Sequence, residues 1–134
     1  MNWALVVAGA VMLMAAGVHG VLGDDVLRKL ARLRLPPNAF GGPADTKVVL
    51  RITWHFGTIA WGFLGAWLVV VGVQPQAAFA LGVTYLAGSL LSCYALLATV
   101  IAIARRGPAG LLTHPGPGLL STAAVLVWWG SASL

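Results

Sequence analysis

Three histidines, His19, His55 and His114, are the side chains of this 134-residue chain best suited to chemistry. Neutral imidazole ligates metals and haem iron and titrates near neutral pH. His55 follows Trp54 in Arg51-Ile52-Thr53-Trp54-His55-Phe56-Gly57-Thr58, where a basic loop turns into a long apolar helix. His19 closes an apolar run in Ala16-Gly17-Val18-His19-Gly20. Titratable groups inside a membrane span are costly, so both are functional candidates by default. As a facing pair they are candidate ligands for haem b or a pigment magnesium, and with His114 for a three-nitrogen zinc, copper or iron site. Trp54 and Trp61 could stack on such a ligand, Arg51 could pair with a propionate, and Gly17, Gly20 and Gly57 would let a flat macrocycle approach the backbone. The competing expectation is structural: each imidazole hydrogen-bonds a threonine, a carbonyl or the other histidine and locks two helices together.

Other chemistry is missing from the sequence. The only acidic residues are Asp24, Asp25 and Asp45, all outside the apolar runs, and Glu does not occur. That removes the intramembrane carboxylate of a coupled transporter and any paired-carboxylate acid/base site within a span. No phosphate-cradling loop, nucleophile elbow or cysteine cluster is present. Cys93 stands alone in the middle of an apolar run and is expected to be a buried small apolar residue. Met12 and Met14 fall on different sides of a helix and suit packing gaps better than copper. An enzyme is not expected.

The elements that must position the histidines are membrane spans. Of the residues, 60% are hydrophobic and 8% charged, with mean hydropathy +0.93, whereas soluble domains carry about 25% charged residues. The expected fold is an all-α integral membrane protein, a four-helix transmembrane bundle forming one domain over 1–134, with spans near 3–22, 48–73, 79–104 and 119–134. The first run lacks the basic start and short core of a signal peptide. Between the first two spans, loop 24–47 opens with a short amphipathic helix capped by Asp24 or Asp25, with Val26, Leu27, Leu30 and Leu33 on one side. Pro36-Pro37 ends it, Gly41-Gly42-Pro43 turns the chain, and Asp45 is placed to cap span 2. Gly107 to Gly118, with Pro108, Pro115 and Pro117, reads as turns and a short interfacial piece before span 4.

All eight basic residues fall in the first and third loops or at their edges. By the positive-inside rule both termini are outside and those loops cytoplasmic, in a bacterial inner membrane. Trp3, Trp67, Trp128 and Trp129 then gather at the outer interface and Trp54 at the inner one. The net charge of +5 fits anionic headgroups, with Arg28, Lys29, Arg32 and Arg34 facing lipid, better than it fits nucleic acid. Small residues at helical spacing mark contact faces in lipid. These are Ala8, Met12, Ala15 and Ala16 on span 1, Thr58, Gly62 and Ala66 on span 2, and Thr84, Gly88, Ser92, Ala95 and Thr99 on span 3. His19 and His55 lie at one depth on such faces and are expected to meet.

A histidine near the inner end of span 1, a basic loop and a Trp-His pair opening span 2 resemble small uncharacterised bacterial four-span inner-membrane proteins. The resemblance covers spans 1 and 2 only and implies no known activity. Four-helix di-haem cytochromes differ, since they carry histidine pairs at both membrane depths. The function expected first is a non-enzymatic accessory or scaffold subunit of a larger respiratory or photosynthetic membrane complex. The alternative is a haem-, pigment- or metal-binding protein using His19 and His55, followed by a small carrier or channel.

Overall fold

A computed structural model describes residues 1–30 and 41–134, and the described residues are helical with no strand. In chain order they form α1 (Trp3–Leu30), α2 (Pro43–Val73), α3 (Ala80–Arg106), a 3-10 turn (Gly107–Ala109), α4 (Gly110–Thr113) and α5 (Pro115–Ser131). Three stretches, Trp3–Lys29, Pro43–Val73 and Ala80–Thr113, are long and apolar enough to cross a membrane. The fourth long helix, α5, has 17 residues and extends about 25 Å at 1.5 Å per residue, short of the roughly 30 Å hydrocarbon core.

Several boundaries differ from the expected ones. The amphipathic segment at Asp24 is not a separate capped helix, because α1 runs through it to Leu30. Asp24 and Asp25 instead pair along the helix with Arg28 at 3.4 Å and Lys29 at 2.6 Å. Acid four residues before base is the favourable order on a helix, and it carries α1 past Gly23. Leu33, Arg32, Arg34 and Pro36-Pro37 lie outside the described residues. Asp45 sits inside the first turn of α2 rather than capping it, after Gly41 and Gly42 turn the chain at φ 86° and 122°. The last long helix, expected to begin near Leu119, begins at Pro115. Pro115 and Pro117 occupy the first turn, where a proline's missing N–H removes no intrahelical bond, and His114 Nδ1 caps it by accepting from Gly116 N–H at 3.1 Å.

The chain divides into two compact units, Met1–Met12 with Leu64–Leu134, and Leu13–Phe63. In the first unit, glycines bring backbones together. A Cβ on Gly9 would lie 2.6 Å from Gly65 O, one on Gly72 would lie 2.7 Å from Val6 N, and one on Gly130 would lie 2.6 Å from Leu5. The buried face of α2 in this unit is accordingly Gly65, Leu68, Val71 and Gly72, whereas Ala66, expected there, is exposed. A glycine offers a closer backbone approach than alanine, so it selects the contact face. Ala8, Met12, Ala15, Ala16, Thr84, Gly88 and Ala95 are buried as expected, Thr99 is half-buried, and Ser92 and Cys93 are exposed. Cys93 is thus a surface residue of α3, not a core one.

Asn2 ties one end of this unit. Its backbone N–H donates to Gly72 O at 2.6 Å, its Nδ2 donates to Gly130 O at 2.8 Å and Ser133 Oγ at 3.0 Å, and its Oδ1 accepts from Leu5 N–H at 3.3 Å. The start of α1 and the ends of α2 and α5 therefore meet there. Asn2→Ala removes the cap and both side-chain ties, and thermal unfolding in detergent should report a loss of about 1–2 kcal/mol. On the other side of α5, the Trp128 ring lies over Gly88, where a Cβ would come within 2.8 Å of the indole. Its Nε1–H donates to Ser92 Oγ at 3.1 Å, and Tyr85 meets it edge-on at 5.6 Å.

Candidate functional site

The second unit holds the histidine site. From α2, Trp54, Gly57, Thr58 and Trp61 fall on one face, at steps of three and four residues. From α1, His19, Gly20 and Gly23 meet that face. The His19 ring stacks on Trp54, with centroids 4.4 Å apart and planes 8° from parallel, and Trp61 closes on it at 4.6 Å and 48°. His19 Nδ1 shares a hydrogen bond with Thr58 Oγ1 at 2.9 Å, and Trp54 Nε1–H donates to the His19 carbonyl at 3.0 Å. Two indole rings and one hydroxyl of α2 thus engage the His19 ring.

Glycines make this approach possible. A Cβ on Gly23 would overlap the Trp54 indole nitrogen, and one on Gly20 would stand 3.0 Å from the Thr58 methyl. The Trp54 ring therefore lies directly on the α1 backbone. Trp128 over Gly88 repeats the device in the other unit: a tryptophan covers a glycine and donates its indole N–H to the facing helix. In an apolar medium an unbonded indole N–H is costly, so each bond both satisfies the donor and fixes the ring.

The expected ligands are placed differently. His55 is half-buried and one position off the Trp54 face. The bonded partner of His19 is Thr58, not His55. His114 caps α5, and among the described residues no three His, Cys, Asp or Glu side chains gather closely enough to hold a metal ion. Two of the three glycines expected to admit a macrocycle face protein atoms. Thr58 covers Gly20, and His19 Cε1 lies 3.7 Å from a Cβ on Gly57. Only Gly17 of the three is open, beside a shallow apolar hollow formed with Val18, Val21 and Leu22.

Arg51, expected as a propionate partner, donates to Asp24 Oδ1 at 3.0 Å. Asp24 also pairs with Arg28, and these residues line a cleft of about 200 Å³ with Leu27, Lys47 and Val48. Arg28 and Lys29 are exposed, and Arg32 and Arg34 lie outside the described residues. Sequence reasoning missed Gly23, Asn2 and the capping role of His114. The available signals were the i, i+4 spacing of His19 and Gly23, an Asn just before the first apolar residue, and a His directly preceding Pro115. No protein-family model, curated protein or solved structure matches the chain.

Proposed function

We propose that the chain is a non-enzymatic accessory or scaffold subunit of a larger membrane assembly, of respiratory or photosynthetic type. In this proposal it spans a bacterial inner membrane four times, with both termini outside. The main support is the use made of polar atoms within apolar helices. Among the described residues every buried side-chain nitrogen and oxygen has a hydrogen-bond partner. Catalytic and transport sites turn polar groups toward a ligand. Here His19, Trp54, Thr58, Trp128 and Ser92 turn toward protein, within or between helices. Outward-facing side chains such as Phe56 at 67%, Phe63 at 67% and Trp129 at 71% exposure are apolar, which suits acyl chains and partner helices alike.

Gentle detergent extraction from the native membrane tests this directly. The chain is expected to elute with larger subunits; a monodisperse species of the 13.9 kDa chain alone overturns the proposal. One observation favours a second reading. Thr58 holds His19 Nδ1 as a ligating imidazole is held by its orienting partner, and among the described residues Nε2 has no hydrogen bond. Haem or a metal on His19 and His55 requires a Soret band or stoichiometric metal in that same preparation, lost in His55→Ala. A colourless, metal-free preparation, with stability unchanged by that substitution, removes this second reading.

A further inference from the structure

The cleft beside the end of α3 differs chemically from the Asp24 cleft. It has a volume of about 420 Å³ and is lined by Ile101, Ala102, Arg105, Arg106, Gly110 and His114. No Asp or Glu occurs after Asp45, so the unit that contains this cleft has no acidic side chain to neutralise Arg105 and Arg106. Arg106 Nη1 donates to Thr113 Oγ1 at 3.3 Å, which holds that guanidinium against α4 while leaving its other N–H groups available. Gly110 seals the side of the cleft: a Cβ there would overlap the Ala102 carbonyl, so α4 is pressed onto α3.

His114 completes the arrangement. Because the Gly116 N–H donates to Nδ1, the proton of the neutral ring sits on Nε2, and the histidine presents a donor. Two guanidinium groups and an imidazole N–H therefore line one cleft with no carboxylate among its residues. Multiple donors around one concavity fit an oxyanion such as a phosphate, which arginine engages through paired N–H groups. The neighbouring surface distinguishes the source of that phosphate. Leu90, Leu97 and Ile101 share one side of α3, and all are exposed; the strip leads from the cleft along a helix long enough to cross a membrane. An acyl chain fits that strip, and a free phosphate gains nothing from it.

We infer that Arg105, Arg106 and His114 bind the phosphate of an anionic phospholipid whose acyl chain lies along α3. The site needs α3 to span a bilayer and does not depend on the accessory role. The full chain in detergent is titrated with dioctanoyl phosphatidylglycerol, dioctanoyl phosphatidylcholine and inorganic phosphate, with binding read by native mass spectrometry. Phosphatidylglycerol should bind best and resist displacement by inorganic phosphate. Arg105→Gln with Arg106→Gln should weaken it about ten-fold or more, and Arg105→Lys with Arg106→Lys, which keeps the charge but not the paired N–H groups, should bind less tightly than the parent chain and more tightly than the glutamine pair. His114→Asp keeps a capping acceptor for α5 but sets a negative charge in the cleft, and it should weaken binding likewise. If the glutamine pair fails to fold, His114→Asp decides. Equal binding of phosphatidylcholine, full displacement by inorganic phosphate, or unchanged affinity in the glutamine pair or in His114→Asp overturns the proposal.

Discussion

Gly23→Ala should destabilise the protein, although glycine to alanine inside a helix ordinarily stabilises it by about 1 kcal/mol. The added methyl overlaps the Trp54 indole nitrogen and stands 2.6 Å from its Cδ1. The ring must leave the α1 backbone, losing its bond to the His19 carbonyl and its stack on the His19 ring. Overpacking of this kind costs about 1–3 kcal/mol, which exceeds the propensity gain. Thermal unfolding in detergent should show a lower midpoint for Gly23→Ala than for the parent chain. In a Trp54→Ala background the same substitution should recover its stabilising sign, because nothing then occupies the space. A stabilising Gly23→Ala in the parent chain would mean that Trp54 does not lie on α1.

The larger loss is expected at Gly9. There the atoms facing an added Cβ are backbone, Gly65 O at 2.6 Å and Val69 N at 2.8 Å, together with the Val69 side chain. Side-chain rotation cannot relieve a clash with a carbonyl, so in Gly9→Val the two helices must move apart. That opens contacts around Leu5, Ala8 and Met12, all fully buried, and about 3 kcal/mol or more should be lost. Gly17→Ala is the control, because nothing lies within 4 Å of a Cβ there; it should leave stability unchanged or raise it by up to about 1 kcal/mol. The ranking Gly9, then Gly23, then Gly17 is what the unfolding midpoints should reproduce. Equal midpoints for Gly9→Val and Gly17→Ala would refute the close backbone approach.

Much of the helical framework was legible from hydropathy. The apolar runs near 3–22, 48–73 and 79–104 correspond to α1, α2 and α3, because a helix in an apolar medium must satisfy its backbone internally and so follows the apolar run. Helix ends were less legible. Gly23-Asp24 looked like a break and is continuous helix, since Asp24 and Asp25 find partners four residues on. The proline-rich stretch before Leu119 reads as turns and a short interfacial piece, yet Pro115 and Pro117 occupy the first turn of α5, capped by His114. In both places a side-chain bond sets the boundary, and hydropathy carries no information about such bonds.

The histidine site shows the same division. From residue order it follows that His19 and His55 lie near the ends of two apolar helices, that Trp54 and Trp61 share one helix face with Thr58, and that no carboxylate lies among them in the span. Those are properties of spacing along single helices, which the 3.6-residue repeat makes periodic. Which face of α2 receives His19 is a property of two helices together. It was settled by where α2 side chains can lie against the α1 backbone, at Gly20 and Gly23, and by the hydrogen-bonding needs of an indole N–H and an imidazole in an apolar setting. Rotation of α2 by a single residue would present His55 in place of Trp54. The difference lies in close packing and bond partners, which no one-helix pattern contains.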